Sequence, residues 1–320
     1  MKRVFTVFLC LGATGALLAQ GDYQRGLSYY KQNQYQRAIA EFEAIVKEQP
    51  DYEFGQRILG FSYLKVKRYD KSIAALRAAI RLKNDYFESY LALALAYFNS
   101  GRYREVLSTL QRAESYARSP RDKYRLYRTR GAAAFNLKDF TAAASDLEQA
   151  VTIQRGNPKD TLQLGIAYYH LKQDDKALRY LRQAQALDPE GGEANRFLSR
   201  LNYRQAVEDI ESGNYRKAAE TLRSYLDQNP GDGEAWFNLG LAYLFAENLK
   251  ASEEALRRSA RMAPEIGDTY DRLGFIYEKT KRYRKALDAY QKAYKLTQSD
   301  DAKANLERIK RRIRRTRQSG

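Results

Sequence analysis

The chain has 320 residues, 44% hydrophobic and 30% charged, so it carries enough apolar material for a large core and does not have the composition of a disordered polymer. Its formal charge of +17 favours anionic partners. One cysteine, Cys10, and one histidine, His170, leave nothing from which to build a disulfide framework, a thiol-ligated zinc site or a His/Cys metal cluster, so neither metal nor cofactor is expected.

Residues 1–19 read as a secretory signal: basic Lys2 and Arg3, an apolar run from Val4 to Leu11, then small residues through Ala19. The run is shorter than the roughly 20 residues of a membrane span. Cleavage after Ala19 or Ala16 is expected, leaving a periplasmic or secreted protein of charge +15 once Lys2 and Arg3 are gone. Cys10 follows Val7-Phe8-Leu9 instead of the small residues that a lipidated cysteine requires.

From Gln20 onward a small residue recurs in a Tyr-containing apolar run at Gly26, Gly60, Ala94, Gly131, Gly165, Ala206, Gly240 and Gly274. The successive spacings are 34, 34, 37, 34, 41, 34 and 34 residues. Taking that small residue as position 8 gives eight repeats starting near 19, 53, 87, 124, 158, 199, 233 and 267. On a helix, positions 4, 7, 8 and 11 share one arc of a first helix, and 20, 24 and 27 share one of a second, so each repeat is a helical hairpin. Position 11 is tyrosine at Tyr29, Tyr63, Tyr97, Tyr168, Tyr243 and Tyr277, and position 17 at Tyr35, Tyr69, Tyr103, Tyr215 and Tyr283. Much of the 26-tyrosine content is therefore structural and not a platform for stacking bases. Pro50, Pro189, Pro230 and Pro264 end second helices by withholding a donor.

The 37-residue step crosses Ser119-Pro120-Arg121, and the 41-residue step follows Pro189-Glu190-Gly191-Gly192, where a first helix lengthened by two turns is expected. Repeat four is irregular, with Arg130 and Ala134 where leucine and tyrosine belong. A last helix from Asp300 to about Arg317, within a capping segment 299–320, lays Ala302, Leu306, Ile309 and Ile313 along one side to cover the last hairpin.

Trp236-Phe237-Asn238-Leu239-Gly240-Leu241-Ala242-Tyr243 resembles the W-x2-L-G-x2-Y element of the tetratricopeptide repeat, and Ala38, Phe42 and Pro50 supply its A-x3-F and terminal proline. The resemblance covers essentially everything after Gln20 and, with the signal, is to exported bacterial members. It implies an all-α solenoid wound as a right-handed superhelix, with a concave groove lined by positions 2, 5, 9, 12 and 13 of the first helices. Those positions hold Tyr23, Leu27 and Tyr30, then Arg57, Phe61, Leu64 and Lys65, then Leu91, Leu95 and Phe98. They continue through Arg125, Arg128 and Phe135, then Leu162 and Tyr169, then Tyr203, then Phe237, Leu241 and Phe245, ending at Phe275. Such a face is more apolar than solvation requires and suits an extended or helical peptide. The alternative is that positions 9 and 12 pack the inner layer. Family members that grip a C-terminal carboxylate use lysine at position 5 and asparagine at position 9; no repeat here has both.

His170 falls at the groove edge and reads as solvated or hydrogen-bonded. Asp268, Asp271 and Glu278 gather on the groove face of the last repeat and read as solvated charge, since nothing in the sequence orients them. No Gly-rich phosphate loop or serine elbow follows a strand, so no catalytic activity is expected. Two basic clusters remain, Arg112 to Arg130 and Arg311, Arg312, Arg314 and Arg315 at the C-terminus. The sequence therefore points to a non-enzymatic scaffold that holds a protein or peptide in its groove in a bacterial envelope. The alternative is a tether that docks on anionic membrane or envelope polymer through the 112–130 linker and the last helix; nucleic acid is not expected of an exported chain.

Overall fold

In the computed structural model, residues 23–318 are described; the expected signal, 1–19, lies outside the described residues. Every regular element among them is a helix. The chain divides into two units at Ala194/Asn195. Unit 1 stacks five hairpins: α1 (23–31) with α2 (Tyr35–Glu48), α3 (Glu53–Lys65) with α4 (Tyr69–Leu82), α5 (Phe87–Asn99) with α6 (Tyr103–Ala113), α7 (Pro120–Asn136) with α8 (Phe140–Ile153), and α9 (Pro158–His170) with α10 (Asp174–Leu187). The boundary falls in the first turn of α11 (Gly192–Glu211), and unit 2 holds the rest of that helix with α12 (Tyr215–Gln228), α13 (Gly233–Phe245) and α14 (Leu249–Met262), α15 (Gly267–Lys279) and α16 (Tyr283–Thr297), and the last helix α17 (Asp300–Gln318). Each unit is an α-solenoid.

Close approach within a hairpin is set by position 8. A Cβ added to Gly60 would lie 2.5 Å from Leu76, and one added to Gly240 would lie 2.6 Å from Leu256, each the position 24 residue of the facing helix. Position 20 completes the fit. It is Ala38, Ser72, Val106, Ala143, Ala177, Ala218, Ser252 or Ala286, all inaccessible to solvent. Where it is serine, the hydroxyl donates to the facing position 8 carbonyl, Ser72 to Gly60 at 2.8 Å and Ser252 to Gly240 at 2.7 Å, so its burial leaves no orphaned polar atom.

The turn between the two helices is the same in all eight repeats. Position 15 has a positive φ at Asn33, Lys67, Gly101, Lys138, Lys172, Gly213, Glu247 and Lys281. The following amide donates back to the position 11 carbonyl, as Arg68 does to Tyr63 at 2.9 Å and Arg282 to Tyr277 at 2.7 Å, which satisfies a carbonyl at the end of the first helix.

The tyrosines of position 11 explain part of the basic surplus. Their rings carry Arg37 over Tyr29, Lys71 over Tyr63, Arg102 over Tyr97, Lys176 over Tyr168 and Arg282 over Tyr277, at 4.6 to 5.6 Å. Tyrosine and cation are thus built as pairs.

The irregular steps lengthen first helices. At 20 residues, α11 exceeds the 13 of α9 and α13 by about two turns, and α7 reaches 17, opened by Ser119 capping the Asp122 amide ahead of Pro120. In unit 2, α17 lays Ala302, Leu306 and Ile309, all under 10% exposed, against α16, with Ile313 half-buried against the cluster of Ala286, Tyr290, Leu306 and Ile309. Closing the end of an array with a helix polar on its outer side keeps the last apolar flank out of water.

A candidate binding face on the first helices

Within unit 1, consecutive first helices touch: α3 meets α5, α5 meets α7 and α7 meets α9. They form one layer, and most of the expected groove residues line it half-buried. Phe61, Leu64, Leu95 and Phe98 rest on the core shared by α4, α5 and α6, while Tyr23, Leu27 and Tyr30 rest on the core of the first two hairpins. Leu91 is a correction. At 2% exposure it is part of the core and offers nothing to a partner.

The aromatic members of the face pack on one another edge to face. Tyr23 meets Phe54 at 5.2 Å, Tyr30 meets Tyr35 at 5.7 Å, Phe98 meets Tyr103 at 5.3 Å and Phe135 meets Phe140 at 5.6 Å. Burial pushes the Tyr30 hydroxyl pKa up, so the phenol stays neutral. His170 stacks on Phe140 with ring centroids 4.2 Å apart and meets Tyr169 edge-on, which makes it a packing residue of this edge. Leu162 and Tyr169 are half-buried.

The arginines of the face are paired with carboxylates. Arg57 pairs with Glu53 at 3.3 Å and lies between the rings of Phe54 and Tyr86. Both terminal nitrogens of Arg125 donate to Glu88, one of them at 2.9 Å. Arg128 donates to Asp160 at 2.8 Å, and the same buried carboxylate accepts from Tyr124 at 2.7 Å. Burial and the Asp160 bond both raise the Tyr124 pKa; burial alone would lower that of Arg128, but Asp160 outweighs it and holds the guanidinium charged. Lys65 is exposed. The face is therefore apolar, with its arginines paired inside the array and Lys65 left exposed.

In unit 2, Asn238 donates to the Tyr203 hydroxyl at 2.7 Å, and Tyr225 beside it donates to Asp232 at 2.9 Å. Burial, followed by that acidic acceptor, pushes Tyr225 up to about 12. Phe237 and Phe275 rest half-buried on the core of the last two hairpins, Leu241 is half-buried, and Phe245 stands 48% exposed with its ring 5.2 Å from Tyr215.

Two carboxylates of the last repeat also differ from expectation. Glu278 accepts from Arg308 at 3.0 Å, from Tyr290 at 3.2 Å and from Arg312 at 3.4 Å, while Asp271 accepts from Asn305 at 2.7 Å. Glu278 and Asp271 are the anchor for α17 and not solvated charge, whereas Asp268 is exposed, as expected. All four arginines of the C-terminal basic patch are exposed, but Arg312 is tied to Glu278 and lies over Tyr283 at 5.2 Å. In the 112–130 cluster Arg125, Arg128 and Arg130 are likewise bound internally.

Reading the sequence missed the lock of repeat four. Arg130, in place of a core leucine, donates twice to Asp146 at 2.8 Å and once to Glu114 at 3.0 Å. An acid at position 23 of the repeat whose position 7 is basic was the available signal. Among the described residues no group of three His, Cys, Asp or Glu side chains could hold a metal ion, and no helix is long and apolar enough to cross a membrane.

Models of the tetratricopeptide repeat match residues 20–52, 91–158, 162–190, 203–265 and 267–300, and a TPR repeat model matches 60–101. Among curated proteins, anaphase-promoting complex subunit 3 of Schizosaccharomyces pombe is 29% identical over 140 residues, 44% of this chain. The match spans 19% of that relative's length. Among solved structures, a MamA protein is 19% identical, covering 55% of this chain and 94% of its own, with a TM-score of 0.49. MamA from Desulfovibrio magneticus is 24% identical, covering 56% and 98%, with a TM-score of 0.40. YrrB, described as a TPR protein with an unusual peptide-binding site, is 15% identical, covering 75% and 97%, with a TM-score of 0.41.

Proposed function

The chain belongs to the tetratricopeptide repeat family, and we propose on that premise that it is an exported, non-enzymatic scaffold that holds a peptide or protein partner against its first helices. The observation that carries this reading is the inner layer of unit 1, where Phe61, Leu64, Leu95 and Phe98 present apolar surface beside arginines already neutralised by Glu53, Glu88 and Asp160. Such a surface gains from covering its apolar area and carries little unpaired charge to desolvate. Export is supported by the character of residues 1–19 and makes the partner an envelope or extracellular protein.

Two measurements test the halves of this proposal separately. N-terminal sequencing of the protein from its native cell is expected to begin near Gln20; an intact Met1 chain in the cytosol refutes export and returns nucleic acid to the field. Affinity capture from envelope extract, repeated at high salt, is expected to retain the same partner, because apolar anchors are not screened. A second reading, the tether, is favoured by the exposed Arg311, Arg314 and Arg315 at the end of α17. Sedimentation with anionic vesicles decides it: salt-sensitive binding supports a tether, and absence of binding at low salt removes it.

A further inference from the structure

Between α4 and α6, on the second-helix side of unit 1, lies an open cleft of about 940 Å³. Arg77 and Arg81 of α4 form one wall, and Arg112 of α6 stands on the other, with Arg102 at the start of α6. The floor is Leu93 and Tyr97 of α5, each 6% exposed. Glu105 is the only carboxylate in the lining, and it is taken by Arg102 at 2.8 Å. Among the described residues Arg77 and Arg81 have no hydrogen-bond or ion-pair partner, while Arg112 lies over the Tyr90 ring at 5.7 Å. Arg77 and Arg81, one turn apart on the same face, repel each other, and among the described residues no carboxylate pairs with either.

Unit 2 supplies the control. The corresponding cleft between α12 and α14, of about 570 Å³, carries Arg223 and Arg258, but Asp227 replaces the residue equivalent to Arg81. There Arg258 is bound to Glu254 at 3.0 Å and lies on Trp236 at 4.6 Å. The same architecture is thus neutralised internally in one unit and left strongly positive in the other.

We propose that the α4–α6 cleft receives an acidic peptide segment of a partner protein, at a surface distinct from the first-helix face. Its volume exceeds what one small oxyanion fills, and its guanidinium groups come from both α4 and α6, a donor set suited to bidentate pairing with the carboxylates of an extended chain. A second copy of this chain, itself at +17, or +15 without residues 1–19, is repelled. A single-stranded nucleic acid needs an exposed ring on which to stack, and the one ring in the lining, Tyr97, is buried beneath Arg102.

The test is fluorescence anisotropy of the full chain with a labelled octapeptide of alternating Asp and Glu. Arg77→Gln, Arg81→Gln and Arg112→Gln together are expected to weaken binding by about tenfold or more, the size of one lost charge-assisted pair. Arg311→Gln, Arg314→Gln and Arg315→Gln remove the same charge from α17 and are expected to change it by less than about twofold, through the long-range field alone. Glutamine keeps helix propensity at these exposed sites, and Arg81→Asp alone, which copies the unit 2 cleft, gives the same answer if the triple variant folds poorly. Equal losses from the two triple variants, or none, overturn the proposal. So does competition in which inorganic phosphate or a single-stranded oligonucleotide displaces the probe at lower concentration than the unlabelled peptide.

Discussion

Repeats four and seven reach one hairpin geometry by different chemistry. Repeat seven follows the family pattern, with Leu239, Gly240 and Tyr243 on α13 facing Ala255 and Leu256 on α14. Repeat four puts Arg130, Gly131 and Ala134 at the same places on α7, and faces them with Asp146 and Leu147 on α8. An added Cβ would meet Leu256 at 2.6 Å in repeat seven and Leu147 at 3.0 Å in repeat four, so the hairpin that holds the ion pair is also slightly the looser. What the hairpin requires is a small residue at position 8 and a satisfied neighbour at position 7. Leucine is one way to satisfy it, and an arginine paired inside the same hairpin is another.

The sharpest way to break this comparison is Asp146→Ala. Arg130, with a side chain 18% exposed, would lose its main partner, and removing one member of such a pair is expected to cost about 3–5 kcal/mol. Arg130→Leu combined with Asp146→Ala should recover most of that, since apolar replacement of a buried pair is often neutral or stabilising. Denaturant midpoints of the unit 1 transition read both; a double variant as unstable as the single one shows that Arg130 is not a substitute for leucine. Next in size, Gly240→Ala is expected to destabilise by about 1–3 kcal/mol through overpacking against Leu256, and Gly131→Ala by less. Equal effects would deny that the two hairpins differ in closeness.

Much of this was legible in the sequence. Helix type, repeat phase and the position 8 contacts follow from a 34-residue period and a narrow apolar arc, because only a small residue fits where two backbones approach. The lengthened α11 was legible too, since helix formers run unbroken from Glu193. The turn was not. A left-handed residue usually announces itself as glycine, yet only Gly101 and Gly213 among the eight position 15 residues do so. The carboxylate partners were equally hidden, because Glu88 with Arg125 and Asp160 with Arg128 join neighbouring repeats, and no period within one repeat reveals a contact between two. Glu278 looked solvated for the same reason, its partners lying some thirty residues away on α17.

The turn gives a smaller test that treats the two repeats alike. Lys138→Gly in repeat four and Glu247→Gly in repeat seven should each stabilise by about 0.5–1 kcal/mol, because glycine accepts the left-handed conformation without a Cβ penalty. Loss of stability in either would show that the side chain contributes more than its strain. Smallest is the pH dependence of the α17 anchor. Burial raises the Glu278 pKa, but the Arg308 bond and charge outweigh it, so the folded value lies below the ordinary 4.5. The anchor is therefore fully present above the ordinary carboxylate range and fades as pH falls through the lowered value. Arg308 and Arg312 are about half exposed, so the effect is screened by water. Proteolysis of the C-terminal helix should accelerate below that range in the wild type, and Glu278→Gln should remove the dependence.

The central claim, that the first helices form the recognition face, is tested most directly by photo-crosslinking. Benzoylphenylalanine at Phe98 and at Tyr169 preserves an aromatic body at half-buried sites, while the same probe at Ile153 and Met262 samples exposed ends of second helices. Irradiated with its captured partner, the protein should form adducts from Phe98 and Tyr169 and none from Ile153 or Met262. Adducts from the second-helix positions alone would contradict the account.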